Sequence, residues 1–367
     1  MASPKHPGKV FVDVDTIKDQ LEEYVIFDVR YNLQIPNFIE KVYPEGHIPG
    51  AAPVNVDTDL SGPIANGARH PLPDGATFTQ WCTAQGIDGG RPVLCYDADC
   101  GAMGGCRMWW MLDDLGVEAY VLNGGMQAYV AAGLSVEAGA AAQRAPGAGW
   151  PFRDHFTRHV TINDLPANAI MTDARAAARY DSDIRPLAST DPQPGHIEGA
   201  VSLPFVVHLE AKDGVQVLKS EAELRANLET RLQAALGSGA ADLSRCIFSC
   251  GSGVSACINI AVARHVGLGH PMLYCGSWSE YATVHAVPIQ RALMARTGLY
   301  IKMLSPCACT NEKADLQKHT VLVDDEPIVQ APSEDLAKAL THLHVGEKVM
   351  VCLKNGERPV VEVLAKA

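Results

Sequence analysis

Val25-Ile-Phe-Asp-Val-Arg30 is a short apolar run that ends in Asp-x-Arg, and it recurs as Ile170-Met-Thr-Asp-Ala-Arg175. Three more pieces recur in the same order. Gly46-His-Ile-Pro-Gly-Ala51 returns as Gly195-His-Ile-Glu-Gly-Ala200, and Pro92-Val-Leu-Cys-Tyr-Asp97 as Cys246-Ile-Phe-Ser-Cys250. Tyr120-Val-Leu-Asn-Gly-Gly125 returns as Leu273-Tyr-Cys-Gly-Ser277. Ordered matches about 150 residues apart mean tandem copies of one fold. Within each copy, short apolar runs bounded by Gly, Asp or Asn alternate with longer helical patterns, the signature of buried parallel strands joined by helical crossovers. Glu221-Ala-Glu-Leu-Arg-Ala-Asn-Leu228 is one such helix, opened by a Ser220/Glu223 capping box. The fold class is α/β: two tandem domains, each a parallel sheet flanked by helices, with a small α+β domain behind them.

The expected boundaries are residues 1–136, an Ala/Gly/Pro-rich linker over 137–160, a second copy over 161–297, and an extension over 298–367. In the extension, Thr320-Val-Leu-Val-Asp324, Lys348-Val-Met-Val-Cys-Leu353 and Pro359-Val-Val-Glu-Val-Leu364 read as strands. Ser333-Glu-Asp-Leu-Ala-Lys-Ala-Leu340 reads as a capped helix.

At 367 residues, 47% hydrophobic and 20% charged, the chain has the balance of a globular protein with a real core, which excludes disordered, collagenous and coiled-coil classes. No run reaches the length of a transmembrane helix, and the opening Met1-Ala-Ser-Pro-Lys-His-Pro-Gly-Lys9 lacks a secretory apolar segment. A cytoplasmic protein is expected. The net charge of −12 disfavours nucleic acid and anionic membranes as partners, so an anionic substrate would have to be drawn by local cations. Eleven cysteines cannot all pair, and the count suits a reducing compartment. Most of them, such as Cys95 and Cys246, sit in apolar runs as small buried hydrophobes. Cys307 and Cys309 are close in sequence but lack further ligands, so no metal site is expected there.

One cysteine stands apart. In Phe248-Ser-Cys-Gly-Ser-Gly-Val-Ser-Ala-Cys257 an apolar strand ends at Cys250, two glycines follow within three residues, and a helix starts near Ser255. In open parallel sheets, sites lie at the carboxyl ends of strands. Glycines let successive N–H groups curl inward, and the helix N-terminus adds partial positive charge. A thiol over that cradle would be an activated nucleophile, and the same amides would hold a persulfide anion. An ordinary buried cysteine in a glycine turn fits the same string. Against that, the first copy carries Asp97 at this position, so the fold itself does not require cysteine.

The paired Asp-x-Arg and Gly-His-Ile-x-Gly-Ala elements together with Cys250-Gly-Ser-Gly-Val-Ser255 resemble the two-domain rhodanese-like sulfurtransferases, over about residues 10–290. The loop is similar to that of the 3-mercaptopyruvate sulfurtransferase branch, and the protozoan members of the family are similar in carrying a C-terminal extension. The resemblance implies that Cys250 carries sulfur as a persulfide, and that the copy holding Asp97 is inactive. Thiosulfate-specific relatives carry Arg and Lys after the cysteine, suited to a sulfonate. Neutral Gly251 and Ser252 here favour an uncharged thiol sulfur. Gly251, Gly253, Val254 and Ser255 complete the loop, with Ser255 where the family usually has Thr. Arg179 matches an arginine that binds the substrate carboxylate or keto oxygen, and Arg185 is the nearest candidate for a second. Two guanidiniums suit a planar 2-keto carboxylate through forked hydrogen bonds. Either could instead be a surface residue or a salt-bridge partner.

Arg69-His-Pro-Leu-Pro73 is similar to the family's histidine turn. It implies that His70 hydrogen-bonds Ser252 while Asp57 orients the ring, with Asp59 a rival for that role. His47 and His196 sit in the Gly-His-Ile turns and read as fold-keeping. The implied reaction moves sulfur from 3-mercaptopyruvate to Cys250 and on to a thiol acceptor such as thioredoxin, or to cyanide, with no metal or organic cofactor. A thiosulfate sulfurtransferase is the nearest alternative, and a non-enzymatic sulfur carrier a further one. A phosphatase would need Cys-x5-Arg, and the sixth residue after Cys250 is Ala256.

Overall fold

The computed structural model describes residues 4–141, 144–149, 153–166, 168–180, 191, 195–237 and 243–285, together with the backbone of strands at 299–305, 320–323, 348–353 and 360–366. The first copy contains β1 (Phe11–Val12), β2 (Val25–Asp28), β3 (Ala52–Pro53), β4 (Val93–Tyr96) and β5 (Ala119–Leu122). Its helices are α1 (Val14–Ile17), α2 (Phe38–Val42), α3 (Gly75–Ala84), α4 (Gly105–Leu115) and α5 (Gly125–Ala131). The five strands are all parallel, in the order β1-β5-β4-β2-β3.

The second copy repeats this plan. β6 (His159–Val160), β7 (Ile170–Asp173), β8 (Val201–Ser202), β11 (Cys246–Ser249) and β12 (Met272–Tyr274) pair in parallel in the order β6-β12-β11-β7-β8. Position for position this is the order of the first sheet. An antiparallel hairpin absent from the sequence reading, β9 (Leu209–Lys212) and β10 (Val215–Leu218), is inserted after β8. The central strands β2, β4, β5 and β11 are buried at every residue, as parallel strands covered on both faces must be. Each fully buried Val, Leu, Ile or Phe in them contributes roughly 1.5–3 kcal/mol.

The remaining helices are α6 (Ala177–Tyr180), α7 (Glu221–Leu236), α8 (Ala256–His265) and α9 (Ser277–His285). The capping box on α7 forms as expected: Ser220 Oγ accepts from Glu223 N–H, and Ser220 N–H donates to Glu223 Oε2. Leu224, Leu228 and Leu232, four apart, make its buried stripe. α4 and α8 start just after the corresponding turns of the two copies, are almost wholly buried, and pack on each other. No helix among the described residues is long and apolar enough to cross a membrane.

By packing, the chain forms two units, residues 1–176 with 198–280, and residues 177–197 with 281–367. The second holds α6 and a four-stranded sheet of β13 (Leu299–Ser305), β14 (Thr320–Val323), β15 (Lys348–Leu353) and β16 (Val360–Lys366), in the order β13-β16-β15-β14. β14 and β15 are parallel, and the other pairs antiparallel. The helix expected from Ser333, and Cys307 and Cys309, lie outside the described residues.

The repeated Asp-x-Arg is a frame. Arg30 forks onto Asp28 (2.9 and 2.6 Å) and reaches the Gly46 carbonyl at 2.7 Å, tying the end of β2 to the Gly-His-Ile turn. Arg175 forks onto Asp173 (3.0 and 2.6 Å), both fully buried. His47 stacks on Tyr43 and His196 on Tyr180, each with Nδ1 against the tyrosine carbonyl, so both histidines brace turns.

His208 ends a single 3-10 turn (Phe205–His208), fully buried, with neither ring nitrogen partnered among the described residues. Burial, then Arg231 and Lys219, bring its pKa down to about 4. The unfolded chain therefore takes up a proton near pH 6.5 that the folded chain refuses. Stability should fall as pH drops from 6.5 to about 4 and then level off, with a full contribution of roughly 3 kcal/mol. In thermal melts across this range, His208→Phe should lose less melting temperature than the parent. Equal losses would contradict this assignment.

Candidate active site

Cys250 follows β11 at the carboxyl edge of the second sheet, 1% exposed. The chain curls so that Gly253 N–H donates to Cys250 Sγ at 3.1 Å. The curl needs Gly253. Its φ is +77°, and a Cβ there would lie 2.3 Å from the Cys275 carbonyl oxygen. Gly251, Ser252, Gly253 and Val254 are all buried, and Ser255 precedes the first turn of α8. The loop is cross-tied to the start of α9: Trp278 N–H donates to the Cys250 carbonyl and Ser279 N–H to the Gly251 carbonyl, both at 3.0 Å. Ser277, held at φ +52°, accepts the Cys250 N–H at 3.0 Å and donates to the Tyr274 carbonyl at 2.8 Å. A non-glycine residue in that conformation is strained, and the two bonds offset the cost.

The first copy shows what this turn does with an anion. Asp97 Oδ1 accepts from Gly101 N–H (2.8 Å) and Asp99 N–H (3.2 Å), and Oδ2 from Met103 N–H (3.0 Å) and Gly105 N–H (3.3 Å). The carboxylate fills its own nest of main-chain amides. Burial and the nearby Asp99 nevertheless push Asp97 up to about 6, against those bonds.

His70 is almost fully buried. Its Nε2 lies 3.0 Å from Asp57 Oδ1 and 3.1 Å from Tyr31 Oη, and Tyr31 donates to the same Asp57 oxygen at 3.1 Å. Asp57 is therefore the carboxylate at the ring, while Asp59 accepts the Asn55 N–H. Nδ1 has no partner among the described residues, so the expected His70–Ser252 hydrogen bond is not made. Because Nε2–H faces a carboxylate and a phenol, the network assigns the neutral tautomer with a bare Nδ1 lone pair. Burial and the Arg107 charge hold the imidazole down at about 4, outweighing Asp57, so it is neutral at pH 7.

Arg179 belongs to the second packed unit, where it forks onto buried Asp191 (2.7 and 2.5 Å). Arg185 lies outside the described residues. The structure thus brings together the Cys250 loop and, separately, the His70–Asp57–Tyr31 cluster. One guanidinium, that of Arg107 on α4, spans both, bonding the Gly253 and His70 carbonyls. The sequence reading missed Arg107, Tyr31 and Ser277. Arg107 had a signal: it is the sole basic residue in the apolar helix Gly105-Cys-Arg-Met-Trp-Trp-Met-Leu112. Tyr31 and Ser277 had none, since their partners are distant in sequence or in a main-chain turn.

The rhodanese-like domain family matches residues 13–132, and a domain of unknown function, DUF1930, matches residues 299–366. A probable 3-mercaptopyruvate sulfurtransferase of Pseudomonas aeruginosa is 36% identical over 276 residues, 73% of this chain and 92% of that protein. A putative thiosulfate sulfurtransferase of Mycobacterium tuberculosis is 33% identical over 272 residues, 72% of this chain and 90% of that protein. The solved 3-mercaptopyruvate sulfurtransferase from Leishmania major is 47% identical with a TM-score of 0.78, covering 99% of this chain and 98% of that one. That coverage takes in the extension beyond the two copies. With the duplicated sheet and the glycine cradle beneath Cys250, these likenesses establish that the chain belongs to the tandem rhodanese-like family of the 3-mercaptopyruvate sulfurtransferases.

Proposed function

We propose that this enzyme takes sulfur from 3-mercaptopyruvate onto Cys250 as a persulfide and passes it to a thiol acceptor such as reduced thioredoxin, or to cyanide, releasing pyruvate. The observation that carries the proposal is the Gly253 N–H aimed at Cys250 Sγ from 3.1 Å, in a turn whose sister in the first copy already holds an anion. In this scheme the Cys250 thiolate attacks the substrate sulfur. The carbon–sulfur bond breaks and its electron pair passes to carbon as the enolate of pyruvate. That enolate takes a proton to give pyruvate. The acceptor thiolate then attacks the outer sulfur, and Cys250 leaves as thiolate. Charge stays on sulfur or oxygen throughout, where fixed amide dipoles are most effective.

Within the scheme, Ser252 and the Gly251, Gly253, Val254 and Ser255 backbone line the sulfur, and no metal or organic cofactor takes part. Neutral Gly251 and Ser252 offer no cation for a sulfonate, which favours mercaptopyruvate over thiosulfate. His70, its Nε2–H engaged with Asp57, acts through Nδ1 as a proton acceptor. Arg179, with Arg185, holds the substrate carboxylate, and Asp191 keeps the Arg179 fork oriented until substrate binds. Eleven cysteines, an odd count that cannot all pair, suit a reducing, cytoplasmic setting. Residues 1–136 form the inactive domain, 137–160 the linker, 161–297 the catalytic domain, and 298–367 a small α+β extension.

Mass spectrometry after mercaptopyruvate without acceptor should find one added sulfur on the Cys250 peptide, and Cys250→Ser should abolish both that gain and pyruvate release. Persistent pyruvate release by Cys250→Ser would end the proposal. Arg179→Gln should raise KM for mercaptopyruvate roughly 10- to 100-fold, the value of hydrogen bonds to a charged group, with a smaller change in kcat. An unchanged KM would remove Arg179 from the site. Because His70 stays neutral down to about 4, the acid limb of kcat/KM that it controls should lie near pH 4. A limb near 6.5 that vanishes in His70→Gln would show a solvated, unshifted imidazole instead.

A further inference from the structure

Arg107 is fully buried, and none of its ion pairs among the described residues is with a carboxylate. Its Nη2 donates to the carbonyls of Leu60 (3.0 Å), His70 (3.1 Å) and Pro71 (3.4 Å). Its Nη1 donates to the Gly253 carbonyl (3.1 Å) and to Cys275 Sγ (2.9 Å), and Nε has no partner among the described residues. Removing such an ion from water is costly, and carbonyl dipoles offset that cost only in part. A buried cation without a fixed anion is an expensive arrangement to keep.

The groups around it are sulfurs. Cys275 Sγ sits on Nη1 and donates to the same His70 carbonyl (3.1 Å), and Cys257 Sγ donates to the same Gly253 carbonyl (3.4 Å). Burial pushes both Cys257 and Cys275 upward, so neither is the standing anion.

We propose that Arg107, a side chain of the copy without the reactive cysteine, is a positioning residue that clamps the Cys250 cradle to the His70 turn and supplies the buried positive charge against which the Cys250 sulfur becomes anionic. The clamp explains why one guanidinium binds carbonyls of both loops. The missing carboxylate follows as well: a permanent counterion would cancel the field, whereas thiolate or persulfide supplies the charge when the enzyme is loaded. This rests on the persulfide role of Cys250.

The test is the pH dependence of Cys250 alkylation by iodoacetamide, read on the Cys250 peptide of the full chain, with melting temperature measured alongside. Arg107→Gln should move half-maximal alkylation up by about one pH unit and slow it roughly tenfold at pH 7. Arg107→Lys, which keeps the charge but loses the fork, should restore most of the alkylation rate while kcat stays low. Cys275→Asp gives the guanidinium a fixed carboxylate, and should slow alkylation several-fold even though the fold is retained. That arm decides the matter if Arg107→Gln does not fold. A residue that only braces the packing would lower the melting temperature and leave the profile in place. Superimposable profiles for the parent, Cys275→Asp and any folded Arg107→Gln protein would overturn the inference. If the parent Cys250 never acquires donor sulfur, the persulfide role fails instead, and the alkylation profiles still report on Arg107.

Discussion

A strand that stops at the carboxyl edge of a parallel sheet and turns at once into a helix must point its loop amides somewhere, and in this protein they point at the side chain that ends the strand. The first copy fills that position with the Asp97 carboxylate, bonded by four loop amides. The second offers a sulfur, with Gly253 N–H on Cys250 Sγ. The two turns differ in the group at their centre, a carboxylate in the first and a thiol sulfur in the second. The left-handed Gly253, pressed against the Cys275 carbonyl, is what keeps the second turn closed around its sulfur.

Everything around the turn serves to hold it still. The Asp28–Arg30 and Asp173–Arg175 forks brace the neighbouring strand ends, and the latter pair is fully buried. The α9 amides of Trp278 and Ser279 grip the carbonyls of Cys250 and Gly251. α4 packs on α8, so the first copy forms one wall of the second. Through Arg107 it also contributes a charge.

The neutral His70 fits this electrostatic arrangement. A protonated imidazole near Arg107 would add a second uncompensated charge in a dry region, and the balance goes against it even with Asp57 at the ring. Tyr31 completes the polar cluster by bonding both partners, so that Nε2 is satisfied while Nδ1 has no partner among the described residues.

Sequence alone determined the duplicated α/β plan, the capping box on α7 and the singular thiol at Cys250, because strand length, apolar runs, glycine spacing and internal repetition are local properties of the chain. The hairpin β9–β10 escaped that reading: Leu209-Glu-Ala-Lys212 is mostly exposed and polar, so it lacks the pattern of a buried strand. Tertiary structure alone decided that Asp57 rather than Asp59 meets His70, that Tyr31 joins them, that Ser277 braces the Cys250 amide, and that Arg107 bridges two loops from another helix. Those partners are brought together only when the loops close and the two sheets pack, Arg107 and Cys275 being separated by 168 positions. A side chain's local pattern states that it is buried, while which group it meets there depends on how distant elements settle against one another.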